Sequence, residues 1–192
     1  MNSVTKLGLL RHGQTDWNID LRLQGTADIP LNSEGIAQIQ KAAAALKNHS
    51  WDLILTSPLS RARHSAEIVA QELGFSEVQI DDGLLERSFG IGEGLTYEQW
   101  QAQFSGLDQI PGAESMASVA KRAEKLLEDT LNRFSGRSVL AVSHGAFIRA
   151  VVTHVSQGTY PPKGERLSNA SLHVFQHQGA WTLEAWAPDP LV

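Results

Sequence analysis

Arg11-His12-Gly13 follows the apolar run Lys6 to Leu10 directly, with no spacer between core and chemistry. Comparable placements recur along the chain. Thr56-Ser57-Pro58, with Arg61 just beyond, follows the apolar run Asp52 to Leu55. Glu86 comes a few residues after Val78 to Ile80, and Ser143-His144-Gly145 closes the run Ser138 to Val142. A mostly parallel sheet puts its binding sites outside the carboxyl ends of its strands. Four such ends would bring two arginines, two histidines and one carboxyl group to a common edge. Arginine is always charged and forks onto phosphate oxygens, so a pair around one point suits a phosphoryl group. Gly13 is expected to let the backbone approach a ligand closely. Helices opening at Pro58 and Gly145 would add backbone donors and positive dipole ends.

The elements that must position these groups follow from periodicity and punctuation. Asn32 fits an N-cap, with apolar residues at 36, 39, 43 and 46 in helical spacing behind it. Pro58 suits a first helical turn, and that helix would carry Arg61, Ala62, Ala66, Val69 and Leu73 to a stop at Gly74. Thr96 is expected to cap a short helix through Phe104. A long helix is predicted from Glu114 to Phe134, ended by Gly136, and another from Phe147 to Val155. Leu172 to Gln176 and Trp181 to Trp186 flank His177-Gln178-Gly179 as a hairpin. Residues 13–31 read as a long ordered loop, residues 84–95 as irregular, and the segment 87–113 as a candidate lid. Strands alternating with helices predict an α/β fold with a mostly parallel sheet and an antiparallel edge.

Composition narrows the function. The chain has 192 residues, 42% of them hydrophobic and 19% charged, and a net charge of −5. These values predict a soluble globular protein built as one domain, residues 1–192, burying roughly 70% of its unfolded surface. An acidic balance without Lys or Arg blocks argues against nucleic acid and anionic membranes as partners. There is no cysteine, which excludes disulfides, thiol nucleophiles and Cys-ligated zinc. Met1 to Leu10 lacks a long apolar stretch and no run approaches a membrane span, so a cytoplasmic location is expected. His49, His64, His154, His173 and His177 show no metal-like spacing and read as surface or helix residues. The five tryptophans read as packing, with Trp17 the one placed to touch a ligand. Gln14 reads equally as a site residue or as a polar loop residue.

Taken in order, the motifs resemble those of the histidine phosphatase superfamily, which contains the cofactor-dependent phosphoglycerate mutases and many small phosphatases. The matching stretches are Arg11-His12-Gly13-Gln14-Thr15 with Trp17-Asn18, Gln24-Gly25, and Thr56-Ser57-Pro58-Leu59-Ser60-Arg61-Ala62. Glu86-Arg87-Ser88-Phe89-Gly90, Glu93-Gly94 and Val142-Ser143-His144-Gly145 complete the set. The resemblance implies a three-layer α/β/α fold like that of phosphoglycerate mutase. It implies that His12 is a nucleophile that becomes phosphohistidine, and that Arg11, Arg61 and His144 hold the phosphate. At 4 Å and an effective dielectric near 20, one such charge pair is on the order of 4 kcal/mol before desolvation. Glu86 would give a proton to the departing alkoxide and take one from water, although Asp81, Asp82 and Glu93 are carboxyl groups nearby. Thr15, Asn18, Gln24, Gly25 and Gly145 would contact substrate. No metal and no cofactor are required, because arginines supply the positive charge.

The resemblance leaves two outcomes for phosphohistidine, transfer to water or return to another substrate oxygen. Mutases of this family carry extra Lys and Arg after the glutamate motif. Here none occurs from Ser88 to Ala120, whereas Glu93, Glu98, Asp108 and Glu114 do. The Phe89 to Gly94 and Pro111 to Ser115 stretches also resemble the phosphatase branch, with Gly92 standing where an aromatic is frequent. A metal-independent phosphomonoester hydrolase acting on small phosphorylated metabolites is therefore expected, as a monomer or homodimer. The alternatives are a cofactor-dependent phosphoglycerate mutase, for which Arg22 and Arg87 would be the extra cations, and a non-catalytic phospholigand-binding protein.

Overall fold

A computed structural model describes residues 4–184 and 186–191. Its elements run β1 (Thr5–Arg11), α1 (Asp16–Ile19), α2 (Ser33–Leu46), β2 (Leu53–Thr56), α3 (Ser60–Leu73) and β3 (Gln79–Ile80). They continue as α4 (Tyr97–Gln103), α5 (Met116–Phe134), β4 (Ser138–Ser143), α6 (Gly145–Val155), β5 (Leu172–His177) and β6 (Trp181–Leu183). The sheet order is β3-β2-β4-β1-β5-β6. β1 to β4 are mutually parallel, and β5 runs antiparallel to both β1 and β6, which makes the expected antiparallel edge.

The central strands are buried on both faces, which is why their sequences read as unbroken apolar runs. Leu7 and Leu9 of β1, Leu53 and Leu55 of β2, and Val139 and Ala141 of β4 pack under α5 and α6. The alternate residues Leu10, Ile54, Leu140 and Val142 pack under α2 and α3. That alternation yields the three layers. Gly8 interrupts it for a steric reason, since a Cβ there would lie 2.4 Å from the Trp51 indole.

Chain direction sets the position of the crevice. From β1 the chain leaves through α2 toward β2 on one side, and from β4 it leaves through α6 toward β5 on the other face. The adjacent ends of β1 and β4 are thus a topological switch point, where open α/β sheets bind ligands.

Several expectations shift. Residues 13–31 contain α1, whose N-cap Thr15 exchanges hydrogen bonds with Asn18 in a capping box. Pro58 is not in the helix, because Leu59 is still extended and α3 begins at Ser60. The third strand is only Gln79–Ile80 and both residues are exposed. The long helix starts at Met116, capped by Ser115. β6 stops at Leu183, and residue 185 of the expected strand lies outside the described residues, as do residues 1–3 of the amino terminus. His173 is on β5 and fully buried rather than on the surface. Thr96 with Gln99, and Gly74 in the left-handed conformation, end their helices as expected. Among the described residues no helix is long and apolar enough to cross a membrane.

Candidate active site

Arg11 is the last residue of β1 and pairs with Ser143, the last residue of β4. His12 therefore emerges beside His144, with ring centroids 5.1 Å apart. The two rings line up at the switch point because the two strands are in register. His12 is 2% exposed, and its Nδ1 lies 2.7 Å from the Gly13 carbonyl oxygen. A carbonyl only accepts, so Nδ1 carries the proton and Nε2 carries the lone pair. Burial, then Arg61 and Arg11, hold the His12 pKa well below 6.5. A neutral imidazole with a fixed tautomer results, as a nucleophile requires.

Gly13 does its work elsewhere than expected. A Cβ there would lie 2.3 Å from the carbonyl oxygen of Gly35 in the first turn of α2, so the close approach is backbone to backbone rather than to a ligand.

The guanidinium groups are held by carbonyls. Arg61, fully buried in the first turn of α3, donates to Gly25 O at 2.8 Å and Ala27 O at 2.7 Å, leaving Nε without a partner among the described residues. Arg11 donates to the Leu167 carbonyl and likewise leaves Nε unpartnered. Burial lowers both pKa values, and the nearby Glu86 carboxylate opposes the shift in each. Gly25 sits at φ +56° against Glu93, where a Cβ would fall 2.1 Å from Oε1. Glu93 is thereby spent on the loop, accepting from Thr26 N and Phe89 N. Asp81 is spent on the Gly83 N–H and on Arg133. Of these neighbouring carboxyls it is Glu86 that lines the cavity.

Glu86 reaches across to α6. Its Oε1 accepts from Arg87 N at 2.9 Å and Phe147 N at 3.0 Å, and Oε2 accepts from Ala146 N at 3.1 Å. His144, the N-cap residue of α6, makes no side-chain cap. Its Nε2 instead meets Ser57 Oγ at 2.7 Å, and burial holds it neutral with a pKa well below 6.5.

Arg11, His12, Asn18, Gln24, Gly25, Arg61, Glu86 and Gly145 line one cavity of about 240 Å³. His144 stands behind this lining, fully buried against His12. Thr15 is outside it. Its hydroxyl and backbone N–H both go to Asn18 Oδ1, so it positions Asn18 instead of meeting a ligand. Gly145 keeps space for Arg11, whose Nε would be 3.3 Å from an added Cβ. Trp17 and Gln14 line a second, adjoining cavity of about 540 Å³. Sequence reading missed Arg149 and Arg166, both on the smaller cavity's wall, and Arg122, which braces Glu86 from behind. Arg149 carries a readable signal, one helical turn beyond Gly145 on the same face.

The model of the histidine phosphatase superfamily (branch 1) matches residues 7–188. The chain belongs to that superfamily. A Bacillus subtilis relative described as uncharacterized phosphatase PhoE is 38% identical over 170 residues, 88% of this chain and 86% of that protein. A probable phosphoglycerate mutase GpmB from Serratia proteamaculans is 34% identical over 190 residues, 93% of this chain and 88% of that protein. Among solved structures, a mycobacterial glucosyl-3-phosphoglycerate phosphatase complexed with VO3 superposes with a TM-score of 0.83 at 30% identity. That match covers 94% of this chain and 98% of the other. The histidine phosphatase fold is thus present over nearly the whole chain, and its solved neighbours include phosphatases.

Proposed function

We propose that the protein is a metal-independent phosphomonoester hydrolase that works through a phosphohistidine on His12. The observation that carries this reading is the fixed neutral tautomer of His12 in a cavity that also holds Glu86 and the guanidinium groups of Arg11 and Arg61. A pocket for binding alone has no need of a poised nucleophile beside a proton-transfer group.

In the first step His12 Nε2 attacks phosphorus and the bond to the ester oxygen breaks. Glu86 gives its proton to that oxygen, and the alcohol leaves. In the second step Glu86 takes a proton from water, the water oxygen attacks phosphorus, and the P–N bond breaks to restore His12 and release phosphate. The unpartnered Nε groups of Arg11 and Arg61 are donors available to the equatorial oxygens. His144, neutral and without a partner at Nδ1 among the described residues, supports the same group from behind.

Hydrolysis is preferred over mutase activity because Phe89 is the sole residue between Ser88 and Ala120 that lines the cavity. That segment, where the family's mutases carry extra cations, brings none to the cavity. Arg87 does not supply one either. It is buried on the Asp108 carboxylate and the Glu114 carbonyl. The similarity to the PhoE phosphatase and to the mycobacterial phosphatase supports the same reading. Incubation with p-nitrophenyl phosphate in chelator should release phosphate, and His12→Ala should abolish both turnover and acid-labile labelling of the protein. Turnover that persists in His12→Ala, or that requires metal, rejects the mechanism. Efficient phosphoglycerate isomerisation with a bisphosphate primer would select the mutase instead.

A further inference from the structure

The cavity is more cationic than one phosphate requires. Its wall carries five guanidinium groups, Arg11, Arg22, Arg61, Arg149 and Arg166, against the single carboxylate of Glu86. A fully ionised phosphate brings only two negative charges. Arg22 is already engaged, by Asp20 at 3.1 Å and the Gly94 carbonyl at 2.9 Å. Arg149 and Arg166 are different. Neither forms an ion pair among the described residues.

The support of Arg149 is specific, whereas Arg166 is exposed. Arg149 projects from α6 and donates to the carbonyl of Glu165, next to Arg166 in the connection to β5. The Glu165 carboxylate is turned to the Trp186 indole N–H at 3.0 Å. The backbone thus fixes Arg149, and the Glu165 carboxylate acts on its charge without ion-pair contact. Both cations act on the catalytic centre, contributing to the depression of the Arg11 pKa to about 10. Arg166, like Arg11 and Asn18, lines both the smaller cavity and the adjoining one of about 540 Å³. It therefore stands where the smaller cavity meets the larger one.

Resting on the hydrolase reading, we propose that the substrate is a phosphomonoester bearing a second anionic group, and that Arg149 and Arg166 bind that group. A carboxylate and a second phosphate share the needed chemistry, an oxyanion that accepts from guanidinium donors. The subsite is built from α6 and the connection to β5, not from the cation-free segment 88–120.

The test compares glycerol 3-phosphate, 3-phosphoglycerate and propane-1,3-diol bisphosphate as substrates. The first two differ only by CH2OH against carboxylate, and the third lacks the 2-hydroxyl and carries a second phosphate on its terminal carbon. The wild-type protein should favour at least one doubly anionic compound in kcat/KM by about tenfold or more, the size of one good charge-assisted contact. Which compound wins identifies the anion. The double variant Arg149→Gln, Arg166→Gln should bring that ratio close to one. A wild-type ratio near one, or a ratio that the double variant leaves intact, overturns the subsite. If p-nitrophenyl phosphate and all three compounds release no phosphate, the hydrolase reading fails separately. Calorimetric Kd values for the same three compounds then decide the subsite by the same ratio.

Discussion

Phe147 donates its backbone N–H to Glu86 Oε1 at 3.0 Å, so the proposed acid–base group is also the cap of α6. Helices leave their first N–H groups without internal partners, and a local side chain normally supplies the acceptor. Here His144 is the N-cap residue and is committed to Ser57, so the carboxylate of Glu86, from a distant loop, takes that place. The contact orients Glu86 and keeps its oxygens on the cavity wall.

Glu86→Gln tests what the carboxyl group contributes beyond that cap. Gln retains one oxygen for Phe147 and Arg87, while its amide nitrogen faces the Ala146 N–H. Loss of positioned proton transfer should cost kcat about a hundredfold or more on an alkyl phosphate. An aryl phosphate has a leaving group that needs no proton, so its first step should survive. Stopped-flow measurements should show a nitrophenol burst with accumulation of labelled protein, because water is then no longer activated. Equal, modest losses on both substrates without labelled protein would remove Glu86 from proton transfer.

Arg122 governs where Glu86 sits. From α5 it donates to the carbonyls of Leu85 at 3.0 Å and Glu86 at 3.4 Å, and its guanidinium lies 4.8 Å from the Phe147 ring centroid. Glu114 grips it through two contacts of 2.8 Å, and that pairing holds the Glu114 carboxyl below the usual range. Arg122→Ala should destabilise the fold by about 1–3 kcal/mol, because it leaves carbonyls and a half-buried carboxylate unpaired. It should also change the ratio of alkyl to aryl phosphate turnover in the direction of Glu86→Gln. Arg122→Lys, which restores charge without the fork, should recover stability more fully than that ratio. A variant that loses stability while keeping the wild-type ratio would make Arg122 purely structural.

Most of the site was legible because parallel topology converts sequence order into spatial convergence. Residues directly after β1, β2 and β4 meet without any long-range information beyond the sheet. What escaped depended on contacts between distant segments. Pro58 fitted a helix start on local grounds, yet Leu59 stays extended and Ser57, just before it, reaches His144. Thr15 looked like a ligand contact, and its position three residues before Asn18 was a capping signature that the polar loop composition hid. Arg166 lies in an irregular connection with no period to mark it. Gly13 was singled out correctly as a place of close approach, but the partner, Gly35, is 22 residues away in another element and nothing local names it.

His173 makes the fold sensitive to acid. It is fully buried on β5, both ring nitrogens lack partners among the described residues, and its ring stacks on Trp186 with centroids 5.1 Å apart. Burial pushes its pKa from 6.5 down to about 4. The unfolded chain therefore takes up a proton below pH 6.5 that the folded chain refuses until about pH 4. Stability is full above the upper value and falls as pH drops through this window, by up to about 3 kcal/mol from this group alone. His12 and His144, also held neutral, push in the same direction. His173→Phe preserves the aromatic stack and removes the titration. Urea unfolding at pH 7 and pH 4.5 should show that the variant loses less stability on acidification than the wild type does. Identical losses would mean that water or a rearranged β5 satisfies the imidazolium, and that the acid sensitivity resides in other groups such as His12, His144 and Glu114.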